Sequence, residues 1–535
     1  MNHAAPARPA LLARSAGLAG AATLTSRILG LVRDQVLATL FGAGNDMDAF
    51  LVAFRIPNLA RDLFAEGAMS AAFVPAFSRQ LTLGDKAEAW HLANNALNTL
   101  LLVTAASVGL GLLFAGPLVT AYAGDYAAVP GKLALTIRLT RVMLPFLTLV
   151  SVAALLMGML NSLDHYFVPA LAPAIFNVAT ILCVLALAPA MASVGQPAIM
   201  AAAVGALVGG IGLVALQCQP LWREGFRYRL VVDLCDRRLQ RVLLLMGPGT
   251  LGLAATQVNL FVNTLLATSQ GTGAVSWLTY AFRVMYLPIG LFGVSIATAV
   301  LPAAARYAAL DDAKAVRKTV SRGMTLMLML NIPATFGLLA LAKPIVRLLF
   351  ERGRFLPSDT ASTAAALQFY AIGLVGYSAT RIACPVFYAL GRSRVPVAVS
   401  TASMAINVVA AVLLVRAAGF RGLALATSLA ALANGGLLLM LLRKHLHGSD
   451  GRRLAGATVK VFAASVVMAG VAAEVERSLT ELAPEAHVMR QTTHVAAAIV
   501  VGMAALMAMA KLLRIAEFDE ALAVAREWAR KLLPG

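Results

Sequence analysis

The chain has 535 residues, of which 60% are hydrophobic and only 13% are charged. Soluble domains are roughly half apolar and a quarter charged, so this composition excludes an ordinary soluble enzyme, a disordered chain and a secreted disulfide scaffold. The net charge of +19 would indicate nucleic-acid binding in a soluble protein. In a membrane protein basic residues first report orientation, so we do not expect nucleic acid as a partner. Four scattered cysteines predict neither a disulfide framework nor a metal site, and no cofactor is expected.

The sequence consists of long apolar runs that are separated by Gly, Pro and charged residues. This pattern predicts an all-α polytopic membrane protein with about fourteen transmembrane helices. The apolar start from Leu11 carries Arg14, Arg27 and Arg33 and runs too long for a cleavable signal, so we interpret it as the first span. The predicted spans are 15–40, 49–77, 92–121, 133–160, 167–189, 196–220, 242–268, 274–304, 321–342, 360–390, 395–415, 422–442, 456–473 and 492–511.

The tail at 514–535 follows the last span. Its apolar residues are three or four apart, which predicts an amphipathic helix on the cytoplasmic membrane surface, or equally a short solvated cap helix. Those residues are Ile515, Phe518, Leu522, Ala525, Trp528 and Leu532.

Basic residues are distributed unequally between the two sides of the membrane. Of the 44 Lys and Arg, 27 fall in the segments and span ends on the side of the N-terminus, nine on the other side and eight well inside the spans. The side with more Lys and Arg is cytoplasmic, so both termini are expected in the cytoplasm.

Several landmarks recur at nearly one offset, which predicts a tandem repeat of a six-helix unit. Because six spans are an even number, the copies insert in the same direction, which is a transporter architecture. We therefore predict an N-lobe at 1–225, a C-lobe at 226–447 and an extra helix pair at 448–513. The offset is 227 for Pro75 and Pro302, Pro117 and Pro344, Pro169 and Pro396, and Arg79 and Arg306, 228 for Arg55 and Arg283, and 230 for Asn177 and Asn407.

Eight basic residues lie at least five residues inside a predicted span, and all eight are arginines. Each would cost ~2.5–3.5 kcal/mol if it faced lipid, so they are expected to face a wet cavity, pair with acids or lie near the interfaces. Arginine forks favour phosphate or carboxylate recognition. Snorkelling or helix–helix hydrogen bonding is the preferred reading for Arg138, Arg141 and Arg381, whereas Arg55 is left open. Ligand binding is preferred for Arg27, Arg33, Arg61 and Arg283.

Few acids are available to neutralise these arginines. Asp34 follows Arg33 and Asp62 follows Arg61. Adjacent helical residues point in different directions, so we expect these neighbours not to pair. The interior would then be net positive and would require an anionic ligand.

A series of short motifs runs along the chain. They are SRILGLVRD at 26–34, FGAG at 41–44, DAF at 48–50, FRIPNL at 54–59, FAEGA at 64–68, AFVP at 72–75, SW at 276–277, YA at 280–281 with Arg283, FERG at 350–353 and YALG at 388–391. With these motifs the chain resembles the MurJ/MviN lipid II flippases over nearly its whole length. The resemblance implies a two-lobed fold of the multidrug/oligosaccharidyl-lipid/polysaccharide exporter superfamily.

The resemblance also implies a function. It implies movement of undecaprenyl-pyrophosphate-linked disaccharide-pentapeptide, lipid II, from the inner to the outer leaflet of the bacterial inner membrane, without catalysis. Membrane lipids and cell-wall synthesis proteins are further expected partners, and the last two spans would form a groove for the polyprenyl tail. The implied substrate-binding residues are Arg27, Arg33, Asp48, Arg61 and Arg283. Beside the resemblance, Asp34, Arg55, Glu66 and Ser276 are further candidates for substrate binding or support.

Three features depart from the family pattern. Phe282 stands where many members carry an acid, Asp62 stands where a second arginine is common, and span 7 lacks a carboxylate for a sodium site. The alternatives are a flippase for another polyprenyl-linked glycan and a multidrug exporter of the same superfamily. A polyprenyl-phosphate enzyme would need clustered acids or a His, Asp and Ser constellation, and direct ATP coupling would need a Walker A motif; the sequence shows neither.

Overall fold

The computed structural model describes residues 9–62, 70–83, 86–290, 294–310, 312–446, 451–482, 488–515 and 518. Within these ranges the chain forms nineteen α-helices and no strand, which confirms an all-helical membrane fold. Among the described residues nine candidate spans are long and apolar enough to cross a membrane. The count of fourteen spans therefore stays a prediction.

The helices follow the predicted spans closely. The first ten are α1 (Pro9–Phe41), α2 (Asn45–Arg61), α3 (Ser70–Leu83), α4 (Lys86–Leu113), α5 (Ala115–Ala123), α6 (Lys132–Met143), α7 (Phe146–Ser162), α8 (Phe167–Met191), α9 (Met200–Arg223) and α10 (Arg237–Thr268). The rest are α11 (Ala274–Pro288), α12 (Val294–Ala309), α13 (Ala313–Phe350), α14 (Pro357–Ile372), α15 (Leu374–Ala389), α16 (Arg394–Ala418), α17 (Phe420–His445), α18 (Gly451–Leu482) and α19 (Val488–Leu512).

Some predicted spans consist of two shorter helices. The span at 360–390 is α14 and α15, which meet at Gly373, and the span at 92–121 is α4 and α5. A Cβ at Gly373 would lie 2.7 Å from the Cα of Ser428, so this break lets α17 approach the backbone closely.

The chain divides into two compact units. One comprises Met1–Ser276 and Arg352–Phe355, and the other comprises Trp277–Glu351 and Leu356–Gly535. The lobe boundaries predicted at 225 and 447 stay predictions. In the first unit, Phe73, Phe77 and Trp90 belong to a core formed by α3, α4 and α7.

The second unit has its main core around α13, α15 and α17, and this core includes Met324, Phe387 and Leu438. The helices α18 and α19 pack on each other and on α13. Ile515 is buried beside this pair, but 516–517 and 519–535 lie outside the described residues, so the predicted tail helix is not tested.

Candidate functional site

The first predicted site residues lie on α1. Arg33 is buried, and its Nε and Nη2 donate to Oδ1 of Asp34 at 3.1 and 2.8 Å. The guanidinium also lies over the ring of Phe176, 5.8 Å from its centroid. The expectation that these sequence neighbours do not pair is wrong. The long arginine side chain folds back along the helix and brings its fork to the neighbouring carboxylate, although the two Cβ atoms diverge.

The end of α2 repeats this arrangement. Nε and Nη2 of Arg61 donate to Oδ1 of Asp62 at 2.9 and 2.7 Å, and the side chains of both residues are only partly exposed. Oδ2 of Asp62 accepts from Nε2 of Gln257 on α10, at 3.2 Å. The Arg61–Asp62 pair is thereby tied to α10, the first helix of the predicted second repeat. Glu66 lies outside the described residues.

The remaining predicted arginines differ in burial. Arg27 is exposed on α1 and forms no ion pair with another residue that the structure describes, whereas Arg55 is half-buried next to Tyr122 of α5. Arg283 is exposed on α11, in the other unit. The structure therefore places Arg27, Arg33, Arg55 and Arg61 in one unit.

Asp48 is the centre of a buried polar cluster at the start of α2. Its Oδ2 accepts from Nζ of Lys132 at 2.8 Å and from the N–H of Gly273 at 2.7 Å. Its Oδ1 accepts from the N–H and Oγ of Ser276, at 3.1 and 2.7 Å. The carboxylate is fully enclosed and holds together α2, α6 and the first turn of α11. The substrate contact predicted for Asp48 stays a prediction, as does a binding role for Ser276.

Lys132 is the member of this cluster that sequence reasoning missed. Its place between the predicted spans 92–121 and 133–160 predicts an outer-loop residue, but its side chain is only 1% exposed and that of Asp48 is 0% exposed. Nζ lies 4.0 Å from the ring centroid of Tyr126, which supplies a cation–π contact. Its position at the start of α6, after the left-handed Gly131, was the available signal, but spacing does not reveal a partner 84 residues away.

Phe282 belongs to an aromatic cluster on α11 and its neighbours. Its ring centroid lies 5.9 Å from that of Tyr286, 5.4 Å from that of Tyr370 and 6.2 Å from that of Tyr377. The hydroxyl of Tyr286 accepts a hydrogen bond from Arg381. Phe282 therefore packs among aromatic rings.

The other two span arginines are exposed. Arg138 donates to Oε1 of Gln196 at 3.2 Å, and Arg141 lies on the surface of α6. Snorkelling or helix–helix hydrogen bonding of these two arginines stays a prediction.

Two family-like motifs, FGAG at 41–44 and FERG at 350–353, lie against each other. The N–H of Arg354 donates to the carbonyl oxygen of Thr39 at 2.9 Å. Gly42 and Gly353 have φ of +67° and +57°, and a Cβ at Gly353 would lie 2.2 Å from that oxygen. Glycine is therefore required at both positions by conformation and by close backbone approach.

Among the described residues, no group of three or more His, Cys, Asp or Glu could hold a metal ion. Outside the spans, Glu224 accepts from His165 and Lys86 at 3.0 and 3.1 Å. These hydrogen bonds, with His165 contributing most, lower the pKa of Glu224.

Comparisons with known proteins place the chain in one family. The family model described as "Lipid II flippase MurJ" matches residues 37–493. The "Probable lipid II flippase MurJ" of Vibrio cholerae is 34% identical over 467 residues, which are 86% of this chain and 87% of that protein. The protein of the same name from Bdellovibrio bacteriovorus is 36% identical over 439 residues, which are 81% and 83% of the two chains.

Solved structures show the same fold. "Lipid II flippase MurJ, inward closed conformation" has a TM-score of 0.76 at 24% identity and covers 92% of this chain and 98% of its own. An inward-facing multidrug resistance MATE transporter has a TM-score of 0.66 at 15% identity, covering 79% and 94%. The chain belongs to the MurJ family of lipid II flippases, a family of multi-pass membrane transporters.

Proposed function

We propose that this protein moves lipid II from the inner to the outer leaflet of the bacterial inner membrane by alternating access, with both termini in the cytoplasm. The pyrophosphate of the substrate binds Arg27, Arg33, Arg61 and Arg283. The observation that carries the proposal is the fork geometry of Arg33 and Arg61, in which two N–H donors of each guanidinium converge on one carboxylate oxygen.

A carboxylate oxygen is a fair stand-in for a phosphate oxygen, because both accept charge-assisted hydrogen bonds from the same arginine donors. The two arginines are therefore already shaped for an oxyanion. The pyrophosphate brings several oxygens and can engage more than one fork. It would compete with Asp34 and Asp62 for those donors.

The charge count supports an anionic substrate. The four arginines together with Asp34 and Asp62 leave a net charge of plus two. A substituted pyrophosphate carries about two negative charges, which are too costly to move through hydrocarbon without compensation. Binding would thus bring the site close to neutrality before the substrate crosses.

The hydrogen bonds of the Asp48 cluster suit a closure of the outer side that breaks and re-forms during transport. Ser276 and Gly273 contact Asp48 through hydrogen bonds, whereas Lys132 contributes an ion pair. Under alternating access we propose that the Ser276 and Gly273 bonds open when the outer side opens, while the Lys132 pair keeps α2 and α6 together.

The last two helices fit a lipid-tail groove. Val459, Phe462, Ile499 and Val500 are exposed apolar residues on α18 and α19. We propose that this helix pair receives the polyprenyl chain, because a long hydrocarbon needs an apolar surface that is continuous with the bilayer.

The experiment is complementation in a strain depleted of its own lipid II flippase, with outward exposure of labelled lipid II as the second readout. We expect the double variant Arg27→Ala/Arg283→Ala to insert normally but to give neither growth nor exposure. The matched control is Arg138→Ala, which removes a span arginine outside the proposed site and should complement.

Full complementation by the Arg27→Ala/Arg283→Ala variant would contradict the arginine assignment. If the unmodified protein restored neither growth nor exposure but exported cationic drugs, the multidrug exporter reading would replace the proposed function. Exposure of a different polyprenyl-linked glycan alone would change the substrate.

A further inference from the structure

The connection between α9 and α10 lies along the first turns of α4 and is held there by three buried asparagines. Nδ2 of Asn94 donates to the carbonyl of Arg227 at 3.0 Å, and its Oδ1 accepts from the N–H of Arg229 at 2.9 Å. Asn95 makes the same pair of bonds with the main chain of Asp233, both at 2.8 Å. These side-chain amides take the place of a neighbouring strand.

The third asparagine completes the pattern. Nδ2 of Asn98 donates to the carbonyls of Arg229 and Val231, at 2.8 and 3.0 Å. Every main-chain group bound to α4 therefore belongs to an odd-numbered residue between 227 and 233. In an extended chain the N–H and C=O groups of alternate residues point to opposite sides. The segment is thus extended, with one edge occupied by the asparagines.

The opposite edge is open. Within the part of the chain that the structure describes, no hydrogen bond is made by the main-chain groups of Tyr228, Leu230 or Val232. Leu230 is 81% exposed and the other two side chains are exposed as well. A row of unpaired N–H and C=O groups beside exposed apolar side chains is a template for another strand.

This edge lies outside the hydrocarbon region. Residues 227–233 lie between the predicted spans 196–220 and 242–268. This connection carries six arginines between Arg223 and Arg241, and each would cost ~2.5–3.5 kcal/mol in hydrocarbon. A peptide in water can therefore reach the open edge.

The surroundings of the edge are basic. Arg223, Arg229, Arg237 and Arg241 are exposed and form no ion pair with any residue in the described ranges. Of the nearby acids that the structure describes, Asp233 accepts only from the main-chain N–H of Cys235, at 2.9 Å, and two others are paired with basic side chains. Glu224 binds Lys86 and His165, and the carboxylate of Asp236 binds Arg238, at 3.1, 3.0 and 3.2 Å.

We propose that residues 227–233 form a docking edge for an extended, acidic segment of another protein, which adds to it as a β-strand. Main-chain hydrogen bonds to Tyr228, Leu230 and Val232 supply the affinity, as in other strand-addition interfaces. Carboxylates on the incoming strand pair with the free arginines and set its preference. The inference is independent of the proposed function, since none of these residues belongs to the proposed substrate site.

The test uses the purified full-length protein in an uncharged detergent and measures fluorescence anisotropy. The probe is a fluorescein-labelled octapeptide of alternating Glu and Val, and its control is the same peptide with every internal amide N-methylated. We expect saturable binding of the first peptide and at least about tenfold weaker binding of the second, which keeps its charge but loses its main-chain donors.

Two variants locate the site. Leu230→Pro removes an outward N–H and should weaken binding about tenfold, whereas Leu230→Ser keeps the N–H and should bind nearly as the parent does. A melting temperature equal to that of the serine variant shows that the proline variant is folded. If it is not, the double variant Arg223→Glu/Arg241→Glu, which leaves the backbone unchanged, should weaken binding of the same probe.

Equal binding of the N-methylated peptide, unchanged binding by the folded proline variant, or no saturable binding at all would overturn the proposal. Displacement of the peptide by phosphatidylglycerol nanodiscs but not by phosphatidylcholine nanodiscs would also overturn it. That result would assign the arginines to an anionic lipid surface.

Discussion

Removing the Lys132 ammonium should be among the most damaging single changes in this protein. Lys132→Met leaves the Asp48 carboxylate enclosed without its counter-ion, and breaking a buried pair from one side costs about 3–5 kcal/mol. The carboxylate keeps three donors, from Gly273 and Ser276, at 2.7, 3.1 and 2.7 Å. We therefore expect the lower end of that range, ~3 kcal/mol.

The assay is thermal unfolding of the purified protein in mild detergent. The compact unit that contains the pair is larger than the 150–250 residues for which 1 kcal/mol corresponds to roughly 2–4 °C, so the lower value applies and the apparent melting temperature should fall by roughly 6 °C. The control is Lys343→Met, which removes an exposed lysine and should change the free energy of unfolding by no more than about 0.5 kcal/mol.

A double-mutant cycle with Asp48→Asn tests the mechanism itself. Replacing both charges removes the uncompensated carboxylate, so Lys132→Met/Asp48→Asn should be more stable than Lys132→Met alone. If Lys132→Met melts within a degree or so of the parent, or if the double variant loses the sum of the two single losses, the buried pair does not hold this cluster together.

Three further predictions concern other contacts. Gly353→Ala should abolish stable folding of its segment, because a Cβ would lie 2.2 Å from the carbonyl oxygen of Thr39. Limited proteolysis should then cut the variant at 350–356, and a wild-type cleavage pattern would contradict the prediction. Glu224→Gln should lower the melting temperature above about pH 4.5 and leave it unchanged well below that pH. The folded-state pKa of Glu224 is lowered, so the stability that its carboxylate contributes is lost as the pH falls through that pKa. Equal losses of melting temperature at pH 3 and pH 7 would be inconsistent with this reasoning. Phe282→Asp should reduce the yield of folded protein, since the charge would enter the aromatic cluster with Tyr370, and an unchanged yield would show that an arginine can reach it.

The helical architecture could be predicted from the sequence because lipid imposes one solution on the backbone. A chain in hydrocarbon has to satisfy its hydrogen bonds locally, so apolar runs of sufficient length become helices. Breaks within a span were harder to predict. The break at Gly373 depends on how closely Ser428 approaches, and hydropathy contains no information about that distance.

The candidate site could likewise be predicted only in part. Arginines at membrane depth could be identified because their cost in hydrocarbon is high, but their partners could not. The pairing of Arg33 with Asp34 depends on rotamers rather than on Cβ direction, and the pairing of Asp48 with Lys132 joins residues 84 positions apart. Sequence periodicity reports which face a side chain leaves from and not where a long side chain ends.

The Arg33–Asp34 and Arg61–Asp62 pairs determine how the membrane potential would act under the proposed function. With both aspartates in place the empty site carries a net charge of plus two from Arg27, Arg33, Arg61 and Arg283, and it is close to neutral when pyrophosphate is bound. An inside-negative potential contributes ~2.3 kcal/mol per charge per 100 mV, so it favours the inward return of the empty carrier and has little effect on the loaded step. In proteoliposomes, collapsing the potential with valinomycin and potassium should slow repeated turnover but leave the first outward transfer of labelled lipid II unchanged. A slower first transfer with unchanged later turnover would require negative charge to move in the loaded step, and the net charge assigned to the site would then be wrong.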